Sequence, residues 1–431
     1  MEGLYVRIVG PTMIDLKERL RVNYEEISRV LVSHTVGYFL SSVTGGILLD
    51  FLPKYAYGVL GSAFFLAGVG TAGTPFTTSL GGLGFFQHVA GWGHGFTDAA
   101  GTVVCVSLWG EKASAPMHAM HAGYPIAAFI IPLISIPYLS PDRPPADANG
   151  TTLPPRTVEE ARRLSQVQWP YLGVAVTEFL MCLVFVYFQY RSFVSHRENK
   201  VESQERAPRS FSAFFSPGRF LEGQSRKAVF LLVLLLFYYA SYQSSQHAFT
   251  NYMVSYMVET NMYTKPEASV VYSTYWICYA SMRWLSIAIA AWVPIHVMLS
   301  VEITVACVCC VVLAVWGATN KAVFWAFTAI LGLFVSPIFP GGTAWANRYL
   351  DASSIVFAIC LFGASIGGII ANYVTGYLIE FSGPRAMLYF FMGLGCGLLV
   401  VFAVMQVSVS RPVCAEKKKV TKEEVEMGDV K

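Results

Sequence analysis

The sequence has few charged residues. Only 13% of its 431 residues are Asp, Glu, Lys or Arg, whereas a typical soluble domain carries about 25%. The formal net charge is +3, and no basic run is interleaved with aromatic residues, which excludes a nucleic-acid-binding surface. The chain lacks an H-E-x-x-H metal motif, and we expect no serine-hydrolase site, no resident cofactor or metal, and no enzymatic activity.

Long apolar stretches take the place of charge. Runs of about 20 apolar residues, enough to cross a hydrocarbon core of about 30 Å, recur along the chain. We therefore predict an all-α polytopic membrane protein in contact with lipid. Its predicted helices 2 to 12 span residues 27–49, 57–74, 80–108, 115–139, 169–190, 228–251, 268–293, 297–317, 322–346, 353–381 and 386–407. The apolar segment 1–16 before them is predicted to be a shortened first helix.

The polar segments predict the topology. Residues 191–227 carry eight Lys and Arg residues, and the tail after Arg411 contains the run EKKK. Excess Lys and Arg mark the cytoplasmic side. The loop 140–168 has balanced charge and contains the glycosylation sequon Asn149-Gly150-Thr151, which we expect to be extracellular and glycosylated. We therefore place the protein in the plasma membrane, with its C-terminal tail in the cytoplasm.

These segments divide the chain into four parts. We predict an N-terminal helical bundle at 1–190, a cytoplasmic basic linker at 191–227, a C-terminal six-helix bundle at 228–410 and a cytoplasmic charged tail at 411–431. None of the nine cysteines lies in a loop predicted to be extracellular. We therefore expect no disulfide framework.

A short motif links this layout to a known family. The segment GILLDFLPK, residues 46–54, resembles the loop signature G-x-L-x-D-R-x-G-R/K of the major facilitator superfamily. Gly46, Asp50 and Lys54 match it, whereas Phe51 replaces the usual Arg and Pro53 the usual Gly. The resemblance implies two six-helix bundles, and it implies that this loop is a conformational latch, here without its arginine.

Longer segments resemble the sodium-dependent glucose transporter branch of that superfamily. They are GPTMIDL, GFTDAAGTVVCVSLWGE, PMHAMHAGYPIAAFIIP, ASVVYSTYWICYASMRWLSI and AWANRYLDASSIVFAICLFGASIGG. Asn347 stands where an acidic residue is typical. The resemblance implies a monomeric symporter that moves a monosaccharide such as glucose with sodium. Two alternatives stay open: a facilitative or proton-coupled carrier of another small solute, and a transporter-like scaffold or sensor, which a shortened first helix favours.

Predicted helix 4 carries polar residues on one face. Gln87, His94 and Asp98 are spaced seven and four residues apart, which places them on the same side of a helix. A carboxylate facing lipid costs roughly 3 kcal/mol or more, so we predict that Asp98 faces a water-filled cavity. Asp98 and His94 are the candidate residues for coupling to Na⁺ or H⁺, and Gln87 is a candidate for solute binding.

Predicted helix 7 has a second polar face. Its polar residues recur at steps of three to four, and they are Gln243, Gln246, His247, Thr250 and Asn251. Amides and hydroxyls both donate and accept hydrogen bonds, which suits the hydroxyls of a sugar-like substrate. We predict that Gln243, Gln246, His247 and Asn251 bind the solute.

Two residues of predicted helix 8 complete the expected site. Trp276 is a candidate for stacking on a sugar ring. Arg283 remains charged in an apolar helix and requires a partner, for which the intramembrane acids Asp98 and Glu178 are the candidates. A position close to the cytoplasmic end of the helix is the alternative for Arg283.

Overall fold

The computed structural model describes residues 2–112, 114–142, 156–199, 226–350 and 354–409. These residues form helices joined by short turns. Among them, eight helical stretches are long and apolar enough to cross a membrane, and a shorter apolar one covers Ala122–Tyr138. The all-α prediction is confirmed for the part of the chain that is described.

The helices fall into two halves. The first half contains α1 (Glu2–Leu20), α2 (Tyr24–Phe51), α3 (Ala56–Gly73), α4 (Leu80–Trp109), α5 (Ser114–Ser135) and α6 (Gln168–Asn199), with a short helix Val158–Leu164 before α6. The second half contains α7 (Arg226–Glu259), α8 (Lys265–Ile289), α9 (Ile295–Val312), α10a (Lys321–Val335), α10b (Ile338–Tyr349), α11 (Ser354–Ser382) and α12 (Arg385–Ser408). One π-helical turn, Leu313–Gly317, extends α9.

Local sequence signals start two of the helices that carry polar residues. The side chain of Asn23 accepts a hydrogen bond from the Glu26 amide at 2.7 Å, and the Glu26 carboxylate accepts one from the Asn23 amide at 2.9 Å. Thr264 and Glu267 form the same reciprocal pair before α8. These capping boxes satisfy amides that the first helical turn leaves without partners.

Four predicted helices differ clearly from the observed ones. Those predicted at 169–190 and 228–251 continue further, to Asn199 and Glu259. The first helix is 19 residues long and continues past residue 16 to Leu20. A prediction based on apolar residues ends too early here, because the last turn of the helix is charged. The predicted helix 322–346 is instead two helices, α10a and α10b, separated at Ser336 and Pro337. Proline lacks a backbone N–H and clashes with the preceding turn, which explains the break.

Some predicted segments lie outside the described residues. They are most of the linker, residues 200–225, the tail from 410 onward, and the sequon residue Asn149. Residues 191–199 belong to the end of α6, and residues 226–227 begin α7.

Three pairs of the described helices make most of the contact between the two halves. Helix α2 packs against α11, α5 against α8, and α1 against α7. Within the first half, α2 and α4 are closely packed. Gly91 of α4 has no side chain, and a Cβ there would overlap the carbonyl oxygen of His34 in α2. This approach brings the polar face of α4 against α2.

We predict that Gly91→Ala destabilises the protein, because the added methyl group pushes α2 and α4 apart. Such overpacking typically costs about 1–3 kcal/mol. The expected result is a melting temperature of the purified, detergent-solubilised protein several degrees below that of the parent chain.

Gly84→Ala is the matched control on the same helix. A Cβ at Gly84 meets no atom within 4 Å, and alanine gains up to about 1 kcal/mol over glycine inside a helix. Equal melting temperatures for the two variants would contradict the close approach at Gly91.

Candidate functional site

A buried arginine lies where the two halves meet. The side chain of Arg7 in α1 is 3% exposed. Its Nε donates to the Tyr124 hydroxyl of α5 at 2.7 Å. Its Nη1 donates to Thr250 Oγ1 at 2.7 Å and to Asn251 Oδ1 at 3.2 Å, both in α7. Arg7 therefore joins two helices of the first half to the helix that opens the second half.

Aromatic rings from α5 and α8 surround this guanidinium. The Arg7 Cζ lies 4.6 Å from the ring centre of Trp276 and 5.6 Å from that of Tyr124. The rings of Tyr124 and Trp276 meet edge to face with their centres 5.8 Å apart. An aromatic face attracts a nearby cation, and the attraction is stronger away from water.

The polar residues of α7 extend this site across the interface. Asn251 Nδ2 donates to Asn372 Oδ1 of α11 at 2.8 Å, and Asn372 Nδ2 donates to Thr35 Oγ1 of α2 at 3.2 Å. The Nδ1 of His247 lies 3.4 Å from Asn372 Nδ2, and its Nε2 lies 2.8 Å from Gln243 Nε2. Tyr272 of α8 faces Arg7 and Trp276. We call the set Arg7, Tyr124, Thr250, Asn251, Asn372, Thr35, His247, Gln243, Tyr272 and Trp276 the Arg7 centre.

A second buried group lies within the first half. His94 Nε2 of α4 is 3.0 Å from Glu178 Oε1 of α6, and both side chains are almost completely buried. The ring of Tyr5 is 4.6 Å from that of His94, and the ring of His34 is 5.8 Å from it. His34 is within electrostatic range of Arg7 and His247 as well as of His94, so this histidine cluster adjoins the Arg7 centre.

The predicted residues of α4 contact different neighbours. His94 faces α6, whereas the half-buried Asp98 accepts a hydrogen bond from the Tyr38 hydroxyl of α2. Gln87 is buried, and its side chain donates to Thr74 Oγ1 at 3.4 Å near the end of α3. The predicted face is therefore divided between packing against α2 and against α3 and α6.

The expected partners of Arg283 were wrong. Its Nη2 donates to the hydroxyl of Tyr279, one turn away in α8, at 2.7 Å, and its Cζ lies 5.2 Å from that ring. Glu178 is held by His94 and Asp98 by Tyr38 in the first half. The acids belong to the first half and Arg283 to the second, and the packing of the two halves does not bring them together.

The remaining predicted positions are accounted for as follows. Gln246 is buried and accepts a hydrogen bond from the Tyr275 hydroxyl at 2.9 Å, so it faces α8. Gly46 and Asp50 lie in the last turns of α2, but their side chains are outside the described set, and Lys54 is exposed in the turn Pro53–Tyr55. Within the described residues, no group of three His, Cys, Asp or Glu residues could hold a metal ion.

Ion pairs join the two halves at the end where α1 ends and α8 begins. Lys265 Nζ donates to Asp15 Oδ1 and to Ser140 Oγ, both at 2.6 Å, and all three residues are buried. Nearby, Lys17 Nζ lies 2.9 Å from Glu259 Oε1. We call these two pairs the α1–α8 clamp, although the Lys17–Glu259 pair joins α1 to the last residue of α7. The predicted topology makes this end of the interface the extracellular end.

Several of these residues were not predicted, chiefly Arg7, His34, Tyr124, Asn372, Asp15 and Lys265. The signal for Arg7 was present, because a lone arginine in an apolar segment is the same signal that identified Arg283. The acidic and basic residues of the clamp are 250 positions apart, and no sequence pattern pairs them.

The pattern G-x-S-x-G does occur at residues 363–367, but in the middle of α11 and without the strand and turn that a serine nucleophile needs.

Comparison with known proteins places the chain in a family. A family model described as Major Facilitator Superfamily matches residues 1–359. The human sodium-dependent glucose transporter 1 is 24% identical over 98% of this chain and 80% of its own length. The mouse sodium-dependent glucose transporter 1A is 24% identical over 97% of this chain and 96% of its own. The mouse Major facilitator superfamily domain-containing protein 4A is 20% identical, covering 94% and 88%.

Solved structures share the fold. A mutant of the nucleoside transporter NupG superposes with a TM-score of 0.62 at 12% identity, covering 94% of this chain and 99% of that one. FucP, a Major Facilitator Superfamily transporter in the outward conformation, gives a TM-score of 0.61 at 16% identity, covering 94% and 95%. At these identities the likeness concerns the fold alone.

We predict that Asp15→Asn weakens closure at the α1–α8 clamp, because it leaves the buried Lys265 ammonium without its counter-charge. Removing one partner of a buried ion pair typically costs about 3–5 kcal/mol. A cysteine in place of the buried Ser269, one turn further into α8, is expected to react faster with an impermeant maleimide in the Asp15→Asn chain, in a background lacking the native cysteines.

Two variants make this test specific. The double reversal Asp15→Lys with Lys265→Asp restores a pair and is expected to restore slow labelling. Lys17→Gln removes the more exposed pair at the same end, where about 0–1 kcal/mol is typical, and is expected to change labelling little. Unchanged labelling in the Asp15→Asn chain would show that this pair does not hold the end closed.

Proposed function

Since the chain belongs to the Major Facilitator Superfamily, we propose that it is a secondary active transporter of a small hydroxyl-rich solute of the monosaccharide class. The solute binds at the Arg7 centre and crosses by alternating access, and a cation gradient drives its accumulation. The carrier function follows from the family, while the solute class and the coupling are the proposal.

One observation carries this proposal. The Arg7 centre draws polar side chains from α1, α2 and α5 of the first half and from α7, α8 and α11 of the second. A solute bound there contacts both bundles, so rocking one against the other changes the side from which it is reached. The amides and hydroxyls of the centre suit sugar hydroxyls, and relatives named as glucose transporters support the same class.

The coupling residues in this proposal lie in the first half. Asp98 is an intramembrane acid that is only half buried, and the His94–Glu178 pair adjoins the Arg7 centre. We take sodium as the ion because relatives are named sodium-dependent. A proton is the alternative, since an imidazole beside a carboxylate 3.0 Å away can exchange one.

The scaffold alternative loses its main support. It depended on a first helix too short to contribute to a cavity. In the structure α1 supplies Arg7 to the interface of the two halves and Tyr5 to the histidine cluster. The described length of α1 therefore suffices to reach the centre.

The chain is a multi-pass membrane protein, and we propose that it acts as a monomer in the plasma membrane with a cytoplasmic tail. Both halves of the Arg7 centre come from one chain, so a single copy can form the site.

We predict that proteoliposomes containing the purified chain take up labelled glucose, and that an inward sodium gradient drives its accumulation. Uptake that responds to a proton gradient instead would retain the carrier and change the ion. Failure to move any solute in a wider sugar and polyol screen would overturn the proposed function.

Asp98→Asn is expected to abolish gradient-driven accumulation while solute exchange continues, because exchange needs the binding site and not the coupling charge. Glu178→Gln tests the His94–Glu178 pair in the same assay. Glu159→Gln, an exposed acid in the short helix before α6, is the control and is expected to transport normally. Normal accumulation by the Asp98→Asn chain would remove Asp98 from the coupling mechanism.

A further inference from the structure

The charge of Arg7 is not neutralised by the described residues. Its three hydrogen bonds go to two hydroxyls and an amide, all uncharged, and they use only Nε and Nη1. No carboxylate among the described residues pairs with it, and its Nη2 takes part in none of these three hydrogen bonds. By contrast, the buried ammonium of Lys265 has Asp15 as its partner.

Unused hydrogen-bond donors lie beside this guanidinium. The Tyr272 hydroxyl faces the Arg7 guanidinium and the Trp276 Nε1, but neither this hydroxyl nor the Trp276 Nε1 has a partner in hydrogen-bonding geometry. The two residues are one turn apart in α8, and the Trp276 ring is 4.6 Å from Arg7 Cζ. An indole N–H can only donate, and a tyrosine hydroxyl is able to donate. Buried donors without acceptors are rare, so such a group in a native structure calls for an explanation.

A carboxylate supplies what these groups lack. It accepts hydrogen bonds at two oxygens, and a bond from an arginine N–H to its charged oxygen is stronger than a bond between neutral groups. Its single negative charge matches the single positive charge at Arg7, whereas a phosphate brings close to two negative charges to the same site. The amides of Asn251 and Asn372 on the other side of Arg7 remain suited to hydroxyls.

We propose that Arg7 binds a carboxylate of the transported solute, so that the preferred substrate is a small hydroxylated monocarboxylate, with a hexuronate as its sugar-sized form. This inference rests on the proposed function, because it assigns the substrate class of the same site. Nη2 of Arg7 and the donors of Tyr272 and Trp276 hold the carboxylate, and the amides of α7 and α11 hold the hydroxyls.

D-Glucuronate and D-glucose make a matched test, because they differ only in the group at carbon 6. We expect D-glucuronate to compete for uptake into proteoliposomes at concentrations about 10- to 100-fold lower than D-glucose, the range for hydrogen bonds to charged groups. We also expect D-glucuronate to raise the melting temperature of the detergent-solubilised chain more than D-glucose does.

Variants connect the preference to Arg7. Arg7→Gln is expected to remove the preference for D-glucuronate, and Arg7→Lys to retain part of it, because lysine keeps the charge and loses the planar fork. Arg29→Gln is the matched control, since Arg29 is an exposed arginine paired with Glu25, and it is expected to keep the preference. If Arg7→Gln does not fold, the Arg7→Lys chain and the comparison of the two solutes on the parent chain still test whether Arg7 binds a carboxylate.

The outcomes separate the two proposals. One outcome overturns the carboxylate assignment and leaves the carrier function standing. In that outcome glucose is taken up, D-glucuronate neither inhibits this uptake nor is taken up itself, and D-glucuronate does not raise the melting temperature. Stabilisation by D-glucuronate that Arg7→Gln abolishes, without uptake of any solute, supports the carboxylate site and overturns the transport function. Preferential uptake and stabilisation, both lost in Arg7→Gln, support the two together.

Discussion

A permanently charged guanidinium inside a membrane protein is the constraint around which this molecule is organised. Arg7 cannot lose its proton at any ordinary pH, so its position between the bundles requires partners from both. Tyr124 comes from the first half, and Thr250 and Asn251 come from the second. The aromatic faces of Tyr124 and Trp276 add attraction without adding charge.

The same interface needs to open as well as close. The hydrogen bonds of Arg7 are made to neutral groups, which under the proposed function would exchange partners with a solute at low cost. The α1–α8 clamp differs, since Asp15 and Lys265 are oppositely charged and buried together. A buried charge that loses its partner is costly unless it also reaches water. Such a pair therefore suits a contact that is either fully made or fully broken. In the proposed function, the clamp keeps one end closed while the neutral centre binds the solute.

The accuracy of the sequence interpretation depended on the range of the interaction concerned. Helix α4 was predicted at 80–108 and observed at Leu80–Trp109, because its apolar run and its Ser79 cap are local signals. The break in α10 at Pro337 was missed although the proline was visible, since a long apolar stretch outweighed it. The polar residues of α7 were identified by spacing, but which of them faces α8 and which faces α11 depended on helix rotation in the packed bundle.

By itself, the sequence determined the membrane setting, the helical class, the division into two halves and the presence of rare polar residues in apolar helices. These properties follow from composition and from periodicity over short segments. Apolar residues favour the membrane, and local spacing determines which side chains share a helix face. Only the tertiary structure decided that Arg7 lies at the centre, that Glu178 pairs with His94, that Arg283 stays with Tyr279 and that Asp15 meets Lys265. The Arg7, Glu178 and Asp15 contacts depend on distances between helices far apart in the chain, which are set by how close the backbones can approach, as at Gly91. The Arg283–Tyr279 contact lies within α8, and the packed bundle decided only that no acid among the described residues reaches Arg283.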